Sequence, residues 1–274
     1  MRRSPAVALL VVAALAGCGG SDHPQVDPEV MLDQASRHPI SSAKVDVDAR
    51  LQVLGVERLS QPLRLRFEGP YASGGGQRIP SFDWRVSASA LGFPVAGRLV
   101  STGENVYLSI YGDEYEVGKS NVAAANDHIR RATAGAGALL DLNPRRWFGH
   151  PRMVGEDNAG GTDCERIAAP LRRGETTRQL SPLAQELGLP EPLALSGRAT
   201  ACVGYDDRRF HGLDIRAAIG IPAVDRPYLG RATGALLDGG IVISDIGEPR
   251  AITAPGGPFK PIRELFLTLN DLAG

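Results

Sequence analysis

The cysteines, histidines and acids decide what chemistry this 274-residue chain could carry. Its three cysteines are Cys18, Cys164 and Cys202. Cys18 closes the run Leu15-Ala16-Gly17-Cys18, small residues ahead of a thiol, which is the pattern of a lipobox whose sulfur accepts diacylglycerol. With Cys18 assigned to lipid, Cys164 and Cys202 remain as an even pair, and in an oxidising compartment such a pair reads as a disulfide. The rival use of the two thiols, as ligands of a metal, lacks a CxxC spacing or a neighbouring His pair. His23 and His38 flank the segment after Cys18, while His128, His150 and His211 fall one per segment and read as surface or hydrogen-bonded histidines. Asp113-Glu114 and Asp206-Asp207 each stand between two strand patterns, where acids usually serve turns. His211 and Asp214 lie three apart in a strand region, so they point to opposite faces and do not form a dyad. There is no GxSxG, HExxH or P-loop, and Gly135-Ala136-Gly137 is followed by Leu140 where a dinucleotide fingerprint has its third glycine. No catalytic residue, metal or cofactor is expected, and an envelope hydrolase is the weakest functional reading.

The segment ahead of Cys18 fits the same assignment. Arg2 and Arg3 supply a positive start and Ala6 to Leu15 an apolar run, so residues 1–17 read as a lipoprotein signal peptide. A run of this length cannot cross a ~30 Å hydrocarbon core, which takes about 20 apolar residues. Residues 18–28 read as the lipidated cysteine and a flexible tether, because GGSDHPQVDP offers almost nothing to bury. Acyl chains on Cys18 bury methylenes at about 0.8 kcal/mol each, and two or more chains hold a protein to a membrane stably. The expected location is the extracytoplasmic face of the cell membrane.

Residues 29–274 read as a single domain with no internal linker. Hydrophobic residues make up 43% of the chain, sufficient for a core, and a net charge of −1 lacks the basic surplus of a nucleic-acid binder. The basic residues are nearly all arginine, with lysine only at Lys44, Lys119 and Lys260, which reads as coding bias.

The elements that must hold the cysteines and the core are mostly strands. From Lys44 to Val53 the chain alternates strictly, with Val45, Val47, Ala49, Leu51 and Val53 on one face. The same period of two returns at Leu63, Leu65 and Phe67, at Trp84, Val86 and Ala88, at Val106, Leu108 and Ile110, and at Leu213, Ile215, Ala217, Ile219 and Ile221. Glycine-rich turns separate these runs, among them Gly74-Gly75-Gly76, Gly103-Glu104-Asn105 and Gly112-Asp113. One wet face and one covered face is the habit of antiparallel sheets. Helices are expected at Pro28–Arg37, Asn121–Leu142, Thr177–Leu187 and Pro261–Leu272, too few to match the strands. The expected fold is therefore α+β, a large curved antiparallel sheet with a few helices packed on its concave face.

Several segments, in order, resemble the LppX/LprG-type lipoprotein family and more distantly the LolA/LolB lipoprotein carriers. Asn105-Val106-Tyr107-Leu108 followed by Gly112 to Val117 is similar to a family hairpin, Asp141-Leu142-Asn143-Pro144 through Trp147-Phe148 to a helical stretch, and Gly155-Glu156 with Gly161 to Ile167 to a strand. Ile243-Ser244-Asp245-Ile246-Gly247-Glu248-Pro249, leading to Ile252-Thr253-Ala254-Pro255, is similar to its closing strand. The Cys164/Cys202 pair and the Gly74-Gly75-Gly76 insertion depart from the family pattern.

The resemblance implies a half-barrel with an apolar cavity between sheet and helices that holds acyl chains. Strand parity then nominates Phe67, Trp84, Val86, Leu108, Ile110, Ile215 and Ile219 as cavity-facing. The implied function is carriage or presentation of a lipid or glycolipid by an envelope lipoprotein, with a membrane transporter as a possible partner. The alternative is a membrane-anchored interaction or regulatory module of the same fold without a lipid ligand.

Overall fold

The computed structural model describes residues 26–57, 61–75, 78–90, 93–132, 147–175, 194–223 and 232–265. Helix α1 (Pro28–Ser36) begins where the sequence provides both an N-cap and a fixed first φ: the Asp27 side chain accepts from the Glu29 N–H at 2.7 Å, and Pro28 occupies the first turn. It buries Met31, Leu32 and Ala35. Helix α2 (Lys119–Ala132) starts two residues before the expected Asn121, because the Gly118 carbonyl accepts from the N–H groups of Asn121 and Val122. The expected helix over 177–187, and most of those over 133–142 and 266–272, lie outside the described residues; helix does begin after Pro261.

Twelve strands follow one another among the described residues. They are β1 (Ser42–Leu54), β2 (Leu63–Ala72), β3 (Ser81–Ala90), β4 (Phe93–Thr102), β5 (Val106–Ile110), β6 (Asp113–Glu116), β7 (Arg152–Ala159), β8 (Thr162–Pro170), β9 (Ala194–Gly204), β10 (Phe210–Gly220), β11 (Gly234–Ser244) and the two-residue β12 (Lys260–Pro261). They form one sheet in the order β12-β6-β5-β4-β3-β2-β1-β11-β10-β9-β8-β7. Two antiparallel meanders, β1–β6 and β7–β11, are thus joined by the pairing of β1 with β11, where Lys44 faces Ser244 and Leu54 faces Gly234. Among the described strands only β12 on β6 is parallel. Connections of two residues join β3 to β4, β5 to β6 and β7 to β8, as antiparallel neighbours allow, whereas residues 171–193 separate β8 from β9 and residues 221–233 separate β10 from β11. The β5–β6 hairpin turns through Tyr111 (φ 53°) and Gly112 (φ 85°), the left-handed pair that a two-residue hairpin requires. The fold class is the expected α+β half-barrel with its large antiparallel sheet.

The closing strand expected to run from Ile243 towards Pro255 instead stops at Ser244. Asp245 turns into the left-handed region (φ 51°), and Pro249, Pro255 and Pro258 then deny the chain ladder donors. This segment leads to Phe259, whose ring lies 4.8 Å from that of Tyr107, and to Lys260, which pairs with Asp113 at 2.8 Å.

Because directly paired residues share a face, the register sorts the whole sheet into two sides. Val45, Val47 and Leu51 are continuous across strand boundaries with Phe67, Val86 and Leu63 on one flank and with Ile243, Ile241 and Leu237 on the other. We call this the inner face, since α1 packs on it. One buried cluster gathers Met31, Leu32 and Ala35 of α1 with Phe148, Ile167, Ala199, Ala201, Val203 and Leu213. A second gathers Ile40, Val45, Tyr71, Phe82, Trp84 and Ile243. Full burial of such side chains contributes about 1.5–3 kcal/mol each relative to exposure.

Candidate functional site

The seven residues nominated for a ligand wall all lie on the inner face by register. Phe67 is the direct partner of Val86, and Trp84 of Leu99, which in turn faces Leu108. Ile110 faces Gly97, Ile215 faces Ala199 and Gly239, and Ile219 faces Leu195 and Ala235. They are not one pocket. From β5 to β10 there are six inter-strand steps, about 29 Å along the sheet at roughly 4.8 Å per step, so they form a wall.

Trp84 is the centre of the β1–β4 part of that wall. Its ring stacks on Phe82 with centroids 4.0 Å apart and on Phe67 at 4.7 Å. The indole is 5% exposed, and its Nε1–H has no hydrogen-bond acceptor among the described residues. A buried donor left without an acceptor costs about 1–3 kcal/mol, a cost that the aromatic packing around it offsets. Around this stack, Val47, Phe67, Val86 and Leu99 are only half-buried, as are Leu108 and Ile110 further along, and Leu65 is 41% exposed. The β8–β10 part differs. There α1 seals the sheet so that Ile167, Ala201 and Val203 are fully buried, and Ile215 and Ile219 pack against that cluster.

Cys164 and Cys202 are joined in a disulfide, with Cα atoms 5.4 Å apart on adjacent strands β8 and β9. Cys18 lies outside the described residues. No helix among the described residues is long and apolar enough to cross a membrane, and those residues hold no group of His, Cys, Asp and Glu arranged for a metal ion.

One polar pair escaped the sequence reading. His211, 4% exposed, places Nε2 at 2.9 Å from Oδ2 of Asp207, not of Asp214. A β-bulge between Phe210 and Gly212 turns the His211 side chain back over the turn, and Asp207 also accepts from the Arg209 N–H at 3.0 Å. The space the imidazole fills exists because residue 204 is glycine, where a Cβ would stand 2.3 Å from Asp207 Oδ1 and 3.0 Å from the ring. The i, i+4 spacing across a turn was the available signal. The pair locks the β9–β10 connection. Beside it, the Tyr205 phenol is pushed up to about 12 by burial, by its hydrogen bond with Glu156 and by the carboxylates of Glu165, Glu156 and Asp163.

Taken together, the two joined meanders and the helix on their inner face make an α+β half-barrel, a fold found among solved structures. Among solved structures the chain is similar to LprF from Mycobacterium bovis, at 16% sequence identity over 84% of this chain and 97% of that one, with a TM-score of 0.50. It also aligns with the lipoprotein LppX from Mycobacterium tuberculosis, at 12% identity over 82% of this chain and 98% of that one, with a TM-score of 0.44. No protein-family model and no curated protein matches the sequence.

Proposed function

We propose that this protein is an envelope lipoprotein, anchored through Cys18 on the extracytoplasmic face of the membrane, that holds acyl chains of a lipid or glycolipid against the inner face of its sheet. The observation that carries this reading is the unequal cover of that face: α1 seals Ile167, Ala201 and Val203 in the β8–β10 part, while Val47, Phe67, Val86, Leu99, Leu108 and Ile110 stay half-buried around and beyond the buried Trp84. Half-covered aliphatic and aromatic wall on a curved sheet gains from an alkyl chain laid on it. A chain of about 16 carbons offers on the order of 12 kcal/mol gross at ~0.8 kcal/mol per methylene, against an association cost of about 4–15 kcal/mol. A tightly held ligand therefore needs two chains or a head-group contact. The role is binding for carriage or presentation, with no bond made or broken, and it suits a handover to a membrane transporter.

The test is native mass spectrometry of the full chain purified in a mild non-ionic detergent. The expected result is a protein ion carrying a further mass that fragments to fatty acids. A chain that emerges unloaded and takes up no glycolipid or phospholipid on incubation overturns the proposal, and leaves a membrane-anchored interaction module as the remaining reading.

A further inference from the structure

The outer face, opposite α1, carries an unusual row of charges. Register places Arg64 of β2, Arg50 of β1, Asp238 of β11, Arg216 of β10 and Arg198 of β9 directly opposite one another across five neighbouring strands. Adjacent members are separated by about 4.8 Å of sheet. Arg198 thus faces Arg216, and Arg50 faces Arg64, and like charges directly opposed on a sheet repel.

Elsewhere on this face the same opposition is neutralised. Arg85 faces Arg98, but Arg98 holds Asp83 through two hydrogen bonds of 2.7 Å and Arg85 has Glu68 at 3.6 Å. In the row, Asp238 reaches only Arg216, at 3.4 Å. No carboxylate stands within ion-pair distance of Arg198, Arg50 or Arg64 among the described residues.

Arg50, Arg198 and Arg216 border two grooves of about 700 and 710 Å³ that share Arg198, Arg216 and Asp238. On one flank the neighbouring row is Ser196, Ala218 and Leu236, and on the other it is Ala168, Thr200, Asp214 and Gly240. Asp214 lines the second groove, but its carboxylate leans over Gly240, where a Cβ would stand 2.7 Å from Oδ1, and it forms no ion pair with the row among the described residues. Arg152 and His150 add positive or protonatable groups at the far end of the second groove.

We propose that this groove is a binding site for a phosphate ester, seated between Arg198 and Arg216 with Arg50 in reach of a further anionic group. A carboxylate has two oxygens, which one guanidinium fork satisfies; a terminal phosphate has three, so it bridges two forks at once and removes the repulsion between them. The site is separate from the inner face and does not depend on the acyl-chain reading. The phosphate comes either from a head group in the membrane or from a soluble molecule.

The test uses the full chain in non-ionic detergent, with pyrophosphate as the soluble probe and vesicles of phosphatidic acid, whose phosphate is terminal, in phosphatidylcholine, against phosphatidylcholine alone, as the membrane probe. In calorimetric titration at low salt, pyrophosphate binds the unmodified chain, and Arg198→Gln with Arg216→Gln weakens it about tenfold or more, the scale of losing charge-assisted hydrogen bonds. Arg85→Gln, an equal change in charge per residue on the same face, leaves binding within about twofold. Without ligand, Arg198→Gln alone melts no lower than the unmodified chain, since it relieves a repulsion.

Phosphatidic acid-dependent sedimentation that the double variant loses assigns the phosphate to a head group, whereas pyrophosphate binding without it assigns a soluble ester; both support the site. Absence of both responses overturns it, as does equal weakening by Arg85→Gln, which would reveal only diffuse attraction to net charge.

Discussion

Cys164 and Cys202 occupy adjacent strands without facing each other: Cys164 is opposite Gly204, Cys202 is opposite Arg166, and the disulfide runs diagonally between the two pairs. Both cysteines are buried, Cys164 completely. Gly212 lets the bridge sit close to the sheet, since a Cβ there would lie 3.3 Å from the Cβ of Cys202. The end of β7 closes over the same place, with Gly160 packed against Ser244 of β11.

Replacing both cysteines with serine therefore loosens a link closing 38 residues of chain. The chain-entropy model puts its contribution at about 4 kcal/mol. Thermal or urea unfolding of the double-serine variant should show a loss of that order, and an unchanged midpoint would rule the contribution out.

Gly204→Ala tests the lock at the β9–β10 turn. Its Cβ meets both Asp207 and His211, so the pair must separate or the turn must shift. A cost of about 1–3 kcal/mol is expected, together with a change in the His211 ring resonances in NMR spectra. Full stability with those resonances unmoved would contradict the described contact.

Tyr205 gives a pH dependence with a definite sign. Its folded pKa is raised from 10 to about 12, so the folded state keeps a proton that the unfolded chain releases. The associated stability is intact below pH 10 and falls as the pH rises from about 10 to about 12. Tyr205→Phe should flatten that part of the stability profile relative to the unmodified chain, as read by denaturant titration at successive pH values.

On the inner face, Leu108→Trp separates a filled wall from a ligand-bearing one. Overpacking in a solid core costs about 1–3 kcal/mol, whereas an indole projecting into ligand space leaves stability nearly unchanged and lowers lipid uptake. The second outcome is expected, because Leu108 is half-buried between Leu99 and Tyr115. A strongly destabilised variant with normal lipid uptake would remove Leu108 from the ligand wall.

Cys18→Ala should release the protein from membranes, since the segment that follows offers no other apolar anchor. Membrane fractionation of cells expressing the variant decides this. Retention equal to that of the unmodified chain would withdraw the lipobox assignment.

How far the sequence reaches follows from which features are local. Side-chain alternation is a property of the pleat itself, so Val45 and Val47, Phe67, Trp84 and Val86, Leu108 and Ile110, and Ile215 and Ile219 could each be placed on a covered face from neighbours two residues away. The start of α1 at Pro28 and the Gly112 turn were legible for the same reason, since a proline's fixed φ and a left-handed turn need only adjacent residues; the Asp27 cap, read in sequence as part of the tether, was not. Pairing is not local. Nothing near Lys44 says that Ser244 will lie beside it, and until β1 joins β11 the two halves of the inner face are separate strips. Register also decided that the cysteines would bridge diagonally, that a bulge would bring His211 to Asp207 instead of Asp214, and that arginines taken in sequence as coding bias would stand in one row. A shift of one residue in any ladder would send those side chains to the opposite face. Composition leaves that choice open; the hydrogen-bonded pairing of distant strands makes it.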